Sequence, residues 1–227
     1  WHSHHGVWDN SSCKDILTRL RQSQRPVILA GTGVRTSGSV DVFHRLVEKL
    51  QIPVVTAWNG HDLIPDHHPL YAGRPGTVGT RAGNFSVQNS DFLLILGSRL
   101  NIRQVSYEWN SFARESFKVW VDIDKNELNK PTVRPDIPVH ADLADFLPAL
   151  EKACSGESIR AHIDWVNWCR NRVQRYPVVL REYAKSKLVN PYYFIDALTQ
   201  CLPEEDIIVT GDGSACVIPF QAAIIKE

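Results

Sequence analysis

Methionine is absent from this chain, even at position 1. That absence leads us to expect a piece of a longer protein rather than a whole translation product. Also lacking is any excess of charge, because 25 basic residues face 25 acidic ones. A nucleic-acid groove or a membrane-surface helix needs clustered positive charge. Arg170, Arg172 and Arg175 sit on an ordinary helical pattern instead, so neither partner is expected. No apolar run reaches the roughly 18 residues of a membrane span. The five cysteines (13, 154, 169, 201 and 216) are odd in number and form no C-x-x-C. That is the pattern of a reduced, cytoplasmic chain with unpaired thiols. No apolar signal peptide opens the chain, which starts WHSHHGVWDN. Residues 1–13 are expected to be a leader or tag-like stretch, with no designed metal site on His2, His4 and His5. The motifs G-x-S-x-G and H-E-x-x-H do not occur, and no cysteine has an evident histidine partner. We therefore assign no catalytic residue and no metal ligand.

What is present is a chain of 227 residues, 43% hydrophobic, with a mean hydropathy of −0.22. Such a chain can bury one large core, or one core plus part of another. Short apolar runs at Val27–Ala30, 52–60, 91–99, 117–124 and 137–142 read as strands, several of them closed by glycine or an acid. Helical spacing fills 14–22, 39–50, 80–90, about 104–116, and a stretch after Asp142, an expected N-cap. Ser37 or Ser39 is expected to cap the 39–50 helix. The alternation implies an α/β domain over 14–153 with a parallel sheet covered on both faces. Residues 59–78 read as a long Gly/Pro/His loop, within which His67 and His68 are expected to be solvated. Residues 154–187 read as a helical linker, with a helix over 158–175. Residues 188–227 read as the truncated start of a second α/β unit. There Asn190 and Pro191 open a helix, 206–210 is a strand, and 214–226 is another helix.

Four signals fall on successive strand ends. Gly31 and Gly33 follow the first strand and open a helix, the setting for phosphate or ribose contact by backbone amides. A tight turn with no ligand is the alternative. The dinucleotide fingerprint is incomplete, because Thr36 stands at its third glycine and no acid follows the second strand, which ends at Thr56. Gly79, Thr80, Arg81 and Asn84 open another helix whose amides suit an anion. Arg99 ends the third strand, able to fork onto phosphate or to make a surface salt bridge. Asp122, Ile123 and Asp124 end the fourth, with Glu127 beyond. Those acids can accept from ribose hydroxyls or cap a helix.

The segments AGTGVRTSGS, PDHHPLYAGRPGTVGTRAGN, SDFLLILGSRLNIRQ, VWVDIDKNEL and VHAD run in an order and spacing that resemble the central domain of thiamine diphosphate (TPP) enzymes. The acetolactate synthase-like group is the most similar. The resemblance covers 14–153 and, as the start of the next domain, 188–227. It implies a Rossmann-like three-layer domain of the DHS-like NAD/FAD-binding type. It also implies a parent with three α/β domains. The first supplies a glutamate that activates the thiamine ring, and the last holds diphosphate and Mg2+. The middle one binds FAD in acetolactate synthases, ADP in oxalyl-CoA decarboxylase and nothing in many others. By resemblance, Gly31, Gly33, Thr56, Gly79, Thr80, Arg81, Asn84, Arg99, Asp122, Ile123, Asp124, Glu127 and Asp142 line the nucleotide crevice. Leu100-Asn101-Ile102-Arg103 departs from the synthase pattern, which has acids after the arginine and a phenylalanine. That departure bears on FAD.

Gly211-Asp212-Gly213-Ser214 spells the family's Mg2+ signature. The signature also needs a later asparagine, and the 15 residues after Asp212 contain none. By position the stretch matches the loop after the first strand of the diphosphate domain, where the amides of Gly213 and Ser214 would contact phosphate. The resemblance thus implies a parent that decarboxylates a small 2-oxo acid. Its partners would be its own remaining domains and identical copies, as dimer or tetramer, and this piece would be inert by itself. A non-catalytic structural or dimerisation module with an empty crevice is the alternative. A sirtuin-like NAD-dependent deacylase would need zinc-binding C-x-x-C pairs, which the cysteine spacing opposes. Apolar 207–209 and 220–225 are expected to be exposed and to favour self-association.

Overall fold

The computed structural model describes residues 10–155 and 161–226. The three N-terminal histidines lie outside them. The elements run α1 (Asn10–Gln22), β1 (Pro26–Ala30), α2 (Gly33–Thr36), α3 (Val40–Leu50), β2 (Val54–Thr56), α4 (Arg81–Gln88), β3 (Phe92–Leu96) and α5 (Ile102–Val105). They continue with β4 (Phe117–Asp122), α6 (Lys125–Asn129), β5 (Ile137–His140), α7 (Leu143–Cys154), α8 (Ile163–Arg175), α9 (Pro191–Cys201) and α10 (Ser214–Ala222). The five strands form one sheet, all parallel, in the order β2-β1-β3-β4-β5. The expected three-layer α/β architecture is therefore present.

Strand period two distributes side chains to two separate cores. Ile28, Ala30, Leu94 and Leu96 face one of them, with Phe43 and Leu46 of α3, Ile16 of α1 and Phe146 of α7. Val27, Leu29, Leu93 and Ile95 face the other, with Val87 of α4 and Trp165 and Cys169 of α8. Every residue of β1 and β3 is buried, which explains why these strands read as continuous apolar runs rather than alternating ones. Removing one such side chain, for example Leu94→Ala, costs about 2–5 kcal/mol.

Three expectations need correction. The 104–116 helix is only α5 plus a single 3-10 turn at Trp109–Ser111. Ser106 and Ala113 both take positive φ (65° and 43°), which an α-helix does not admit. The 206–210 strand does not form, because no sheet edge lies beside it. Ile207 and Val209 stay 89% and 90% exposed. The 59–78 loop leaves His67 exposed and His68 half-buried, yet much of it is inside. Leu63, Ile64, Leu70, Tyr71 and Arg74 are buried in it, and 70–72 runs beside β2 through Val54 N to Leu70 O and Ala72 N to Val54 O, both 2.8 Å. Finally, 220–225 is not an exposed patch. Phe220 packs on Trp58 and His61, with ring centroids 4.6 and 4.5 Å apart, and Ala222 and Ala223 are buried.

Candidate functional site

In an open parallel sheet the ligand crevice lies beyond the carboxyl ends of the strands, where the chain reverses its direction of growth. Here that point is between β1 and β3. Gly31 N donates to Leu96 O (2.8 Å) and Gly33 N to Gly97 O (3.0 Å). A Cβ on Gly31 would stand 2.4 Å from Gly97 O, and one on Gly33 would stand 2.6 Å from Gly97 Cα. These glycines therefore let two strand ends touch, and their amides are spent on β3 carbonyls. Ser39 occupies the N-cap position of α3 but makes no side-chain cap bond, and neither does Ser37. The Ser37 hydroxyl bonds Val34 O and Ser39 Oγ instead.

Arg99, Asp122, Asp124 and Glu127 come together as one charged group at the ends of β3 and β4. Arg99 Nε donates to Glu127 Oε1 at 2.8 Å, although the Arg99 side chain is 75% exposed. Lys130, which the sequence reading passed over, donates to Glu127 Oε2 (3.0 Å), to Leu100 O and to Arg99 O. Its only sequence signal was the i,i+3 spacing from Glu127. Burial pushes the Glu127 carboxyl up, but the bonds from Arg99 and Lys130 outweigh that and hold it below its usual range. Asp122 moves the other way. Burial raises it, although the amide of Asp124 donates to its Oδ1 at 3.0 Å. Asp124 accepts from Asn126 N (2.8 Å) and so caps α6. His140 Nε2 holds the turn through Ile123 O, and Ile123 itself is 53% exposed. Asp142 caps α7 through Ala144 N, as expected.

Thr56 is fully buried, and its Oγ1 has no partner among the described residues. The remaining candidates form a second cluster. Thr80 Oγ1 accepts from Gly83 N (3.1 Å) and from Arg74 N (3.0 Å), and Asn84 bonds both the N–H and the C=O of Gly76. Gly79 packs against Arg74 O, where an added Cβ would stand 2.4 Å away. Arg81 does not reach this group, because its guanidinium lies over the ring of Tyr176 at the end of α8, 4.4 Å from the centroid. Gly213 and Ser214 start α10 and are both exposed. Gly213 takes φ 68°, a conformation that favours glycine. Among the described residues no three His, Cys, Asp or Glu converge as a metal would require, so Asp212 stands alone.

The sequence reading missed Arg74. It is 4% exposed, pairs with Asp66 at 2.8 and 2.9 Å, and donates to the carbonyls of Phe220, Gln221 and Ala223. Asp66 in turn accepts from Ile225 N. This pair fastens the far end of α10 to the loop that carries Gly79 and Thr80. Gln221 adds a bond to Val78 O. An isolated arginine in a polar loop carries no sequence signal for burial.

Comparison with known proteins adds the chemical context. A family profile described as "Thiamine pyrophosphate enzyme, central domain" matches residues 13–150. The acetolactate synthase large subunit of Lactococcus lactis subsp. lactis is 34% identical over 201 residues, 88% of this chain and 34% of that protein. A probable acetolactate synthase large subunit of Methanocaldococcus jannaschii is 34% identical over 193 residues, 85% of this chain and 32% of its own length. Acetolactate synthase 1, chloroplastic, of Zea mays is 30% identical over 203 residues, 88% of this chain and 31% of that protein. The chain thus spans about a third of the length of the curated relatives it matches.

Proposed function

The chain belongs to the thiamine pyrophosphate enzyme family through its central domain, and from that premise we propose that it is the middle portion of an acetolactate synthase-like enzyme. In this reading 14–153 is the central domain, 154–187 a connection, and 188–227 the beginning of the diphosphate-binding domain. The complete protein is cytoplasmic and oligomeric, and it acts on a small 2-oxo acid. Thiamine diphosphate, held with Mg2+ by other parts of that protein, supplies the means to stabilise the carbanion left by decarboxylation. By itself this chain is inert, because its own residues bind and orient rather than transform.

The central crevice is proposed to take the adenosine end of FAD or ADP. The observation that carries this is the Arg99–Asp122–Glu127 group at the carboxyl ends of β3 and β4, together with the unpartnered Thr56 hydroxyl at the end of β2. Asp122 would accept from ribose hydroxyls and Arg99 would leave Glu127 to meet a phosphate. The glycine amides contribute closeness rather than donors, since β3 already holds them.

Thermal melting of the 227-residue chain with FAD, ADP, NAD or thiamine diphosphate tests the reading. A ligand that binds only the folded chain adds about 2.7 kcal/mol at 100 times its dissociation constant. A rise in melting temperature with FAD or ADP is expected. No shift with any nucleotide would overturn the crevice assignment and leave a structural module, while a shift with NAD alone would favour the deacylase-like reading. Turnover of pyruvate by the purified chain with thiamine diphosphate and Mg2+ would refute its inertness.

A further inference from the structure

A second cavity of about 360 Å³ lies at the opposite edge of the sheet. Its lining comes from the segment before β4 (Trp109, Phe112), from the start of β4 (Lys118) and from the segment before β5 (Thr132, Val133, Arg134). In a parallel sheet the strand starts share one edge and the strand ends the other. Lys118 and Asp122 are four positions apart on β4, about 13 Å at the usual rise. The cavity is therefore distinct from the crevice, and nothing in the family reading uses it.

Its chemistry is one-sided. Lys118 and Arg134 line it, and no acid does. Arg134 is exposed and has no ion-pair or hydrogen-bond partner among the described residues. Lys118 Nζ has only the Ser116 carbonyl, at 3.0 Å, and burial depresses its amine against the pull of Asp136 and Glu115. The hydroxyl of Thr132 is buried without a partner among the described residues. The apolar share of the lining comes from Phe112 and Val133, both buried, and from Trp109, 39% exposed. The lining is more polar than apolar, and a cavity of this volume holds a small organic anion.

We propose that this cavity binds a small organic carboxylate with a flat apolar body. The carboxylate meets the Arg134 fork and the Lys118 ammonium, and the ring system lies against Trp109 and Phe112.

The probe is naphthalene-2-carboxylate, titrated into the 15N-labelled chain and followed by amide and indole NMR shifts. Saturable shifts at Trp109, Thr132 and Arg134 are expected by about 10 mM, with a dissociation constant near millimolar. Arg134→Gln and Lys118→Met should each weaken binding by about tenfold, and the uncharged carboxamide of the same ring should lose as much. Arg134 is exposed, so its variant keeps the fold, and an unchanged spectrum away from the cavity verifies that. Absence of saturable shifts, or equal binding of the carboxamide, or equal binding by both variants, would overturn the proposal. Shifts mapping to Arg99 and Glu127 instead would also overturn it, by assigning the anion to the crevice.

Discussion

Gly33 and Gly213 show that one residue type serves two physical ends in this protein. A methyl group on Gly33 meets the backbone of Gly97, which cannot move aside without shifting β3. Gly33→Ala should therefore cost about 1–3 kcal/mol by overpacking, visible as a lower urea midpoint. Gly213→Ala meets nothing within 4 Å, but φ 68° with ψ −137° is backbone that essentially only glycine adopts, and holding alanine there costs about 1–3 kcal/mol. His61 carries the clearest titration. Burial, with the nearby Arg74 charge adding to it, holds its imidazole down to about 3 from the ordinary value near 6.5. The unfolded chain therefore binds more protons between those two values. The contribution is fully present above about pH 6.5 and falls by about 1.4 kcal/mol per unit as the pH drops toward the folded value. Denaturation at pH 7, 6 and 5 should show that slope, and His61→Leu should flatten it. The sequence placed the Asp142 and Asn190 caps correctly and put Gly33 and Gly213 at helix starts, because local backbone chemistry decides these positions. It missed His61 and Arg74, because their burial is made by segments far along the chain.

Helix α4 rests on Thr80, which joins element and loop. Its hydroxyl holds the first turn through Gly83 N and the neighbouring loop through Arg74 N, both inside the protein. Thr80→Val orphans two buried donors and should cost about 2 kcal/mol or more, against a conservative Thr80→Ser that costs less. Helix α10 is a different case. Its composition is apolar all round and it contains Pro219, so it has no amphipathic stripe to announce a partner. The Arg74–Asp66 pair and Phe220 decide where it sits. Arg74→Met leaves Asp66 without its counter-charge and should weaken the docking by about 3 kcal/mol. Hydrogen exchange should then show the Ile225 amide losing protection while β1 and β3 amides keep theirs, whereas uniform loss would show that docking and core melt together. The same local-versus-distant divide explains the missing 206–210 strand. Its residues have strand chemistry, but a strand exists only with a partner edge.

At the scale of the whole molecule, each of the two cores seals cysteine thiols, Cys13 and Cys154 in one and Cys169 in the other. Burial pushes the Cys154 thiol up to about 11, partly opposed by Lys49 and Arg21, and the Cys169 thiol up to about 12, partly opposed by a Ser86 hydrogen bond and Arg172, while Cys13 is 1% exposed. Cys201 is exposed and Cys216 half-buried. A disulfide reagent at pH 8 should therefore label Cys201 and Cys216 on the folded chain and reach Cys13, Cys154 and Cys169 only after denaturation. Rapid labelling of Cys169 without denaturant would show that α8 opens on its own. The sequence by itself determined the parallel α/β sheet, its five strands and the strand-end positions of the candidate crevice, because apolar period and turn chemistry are local properties. It also carried the family resemblance, which lies in consecutive motifs. Only the tertiary structure decided that the glycine amides are taken by β3, that Glu127 holds Arg99, that Arg74 is buried and that a cationic cavity opens at the far edge of the sheet. Each of these depends on which distant segments meet, and that is set by the packing of the whole chain.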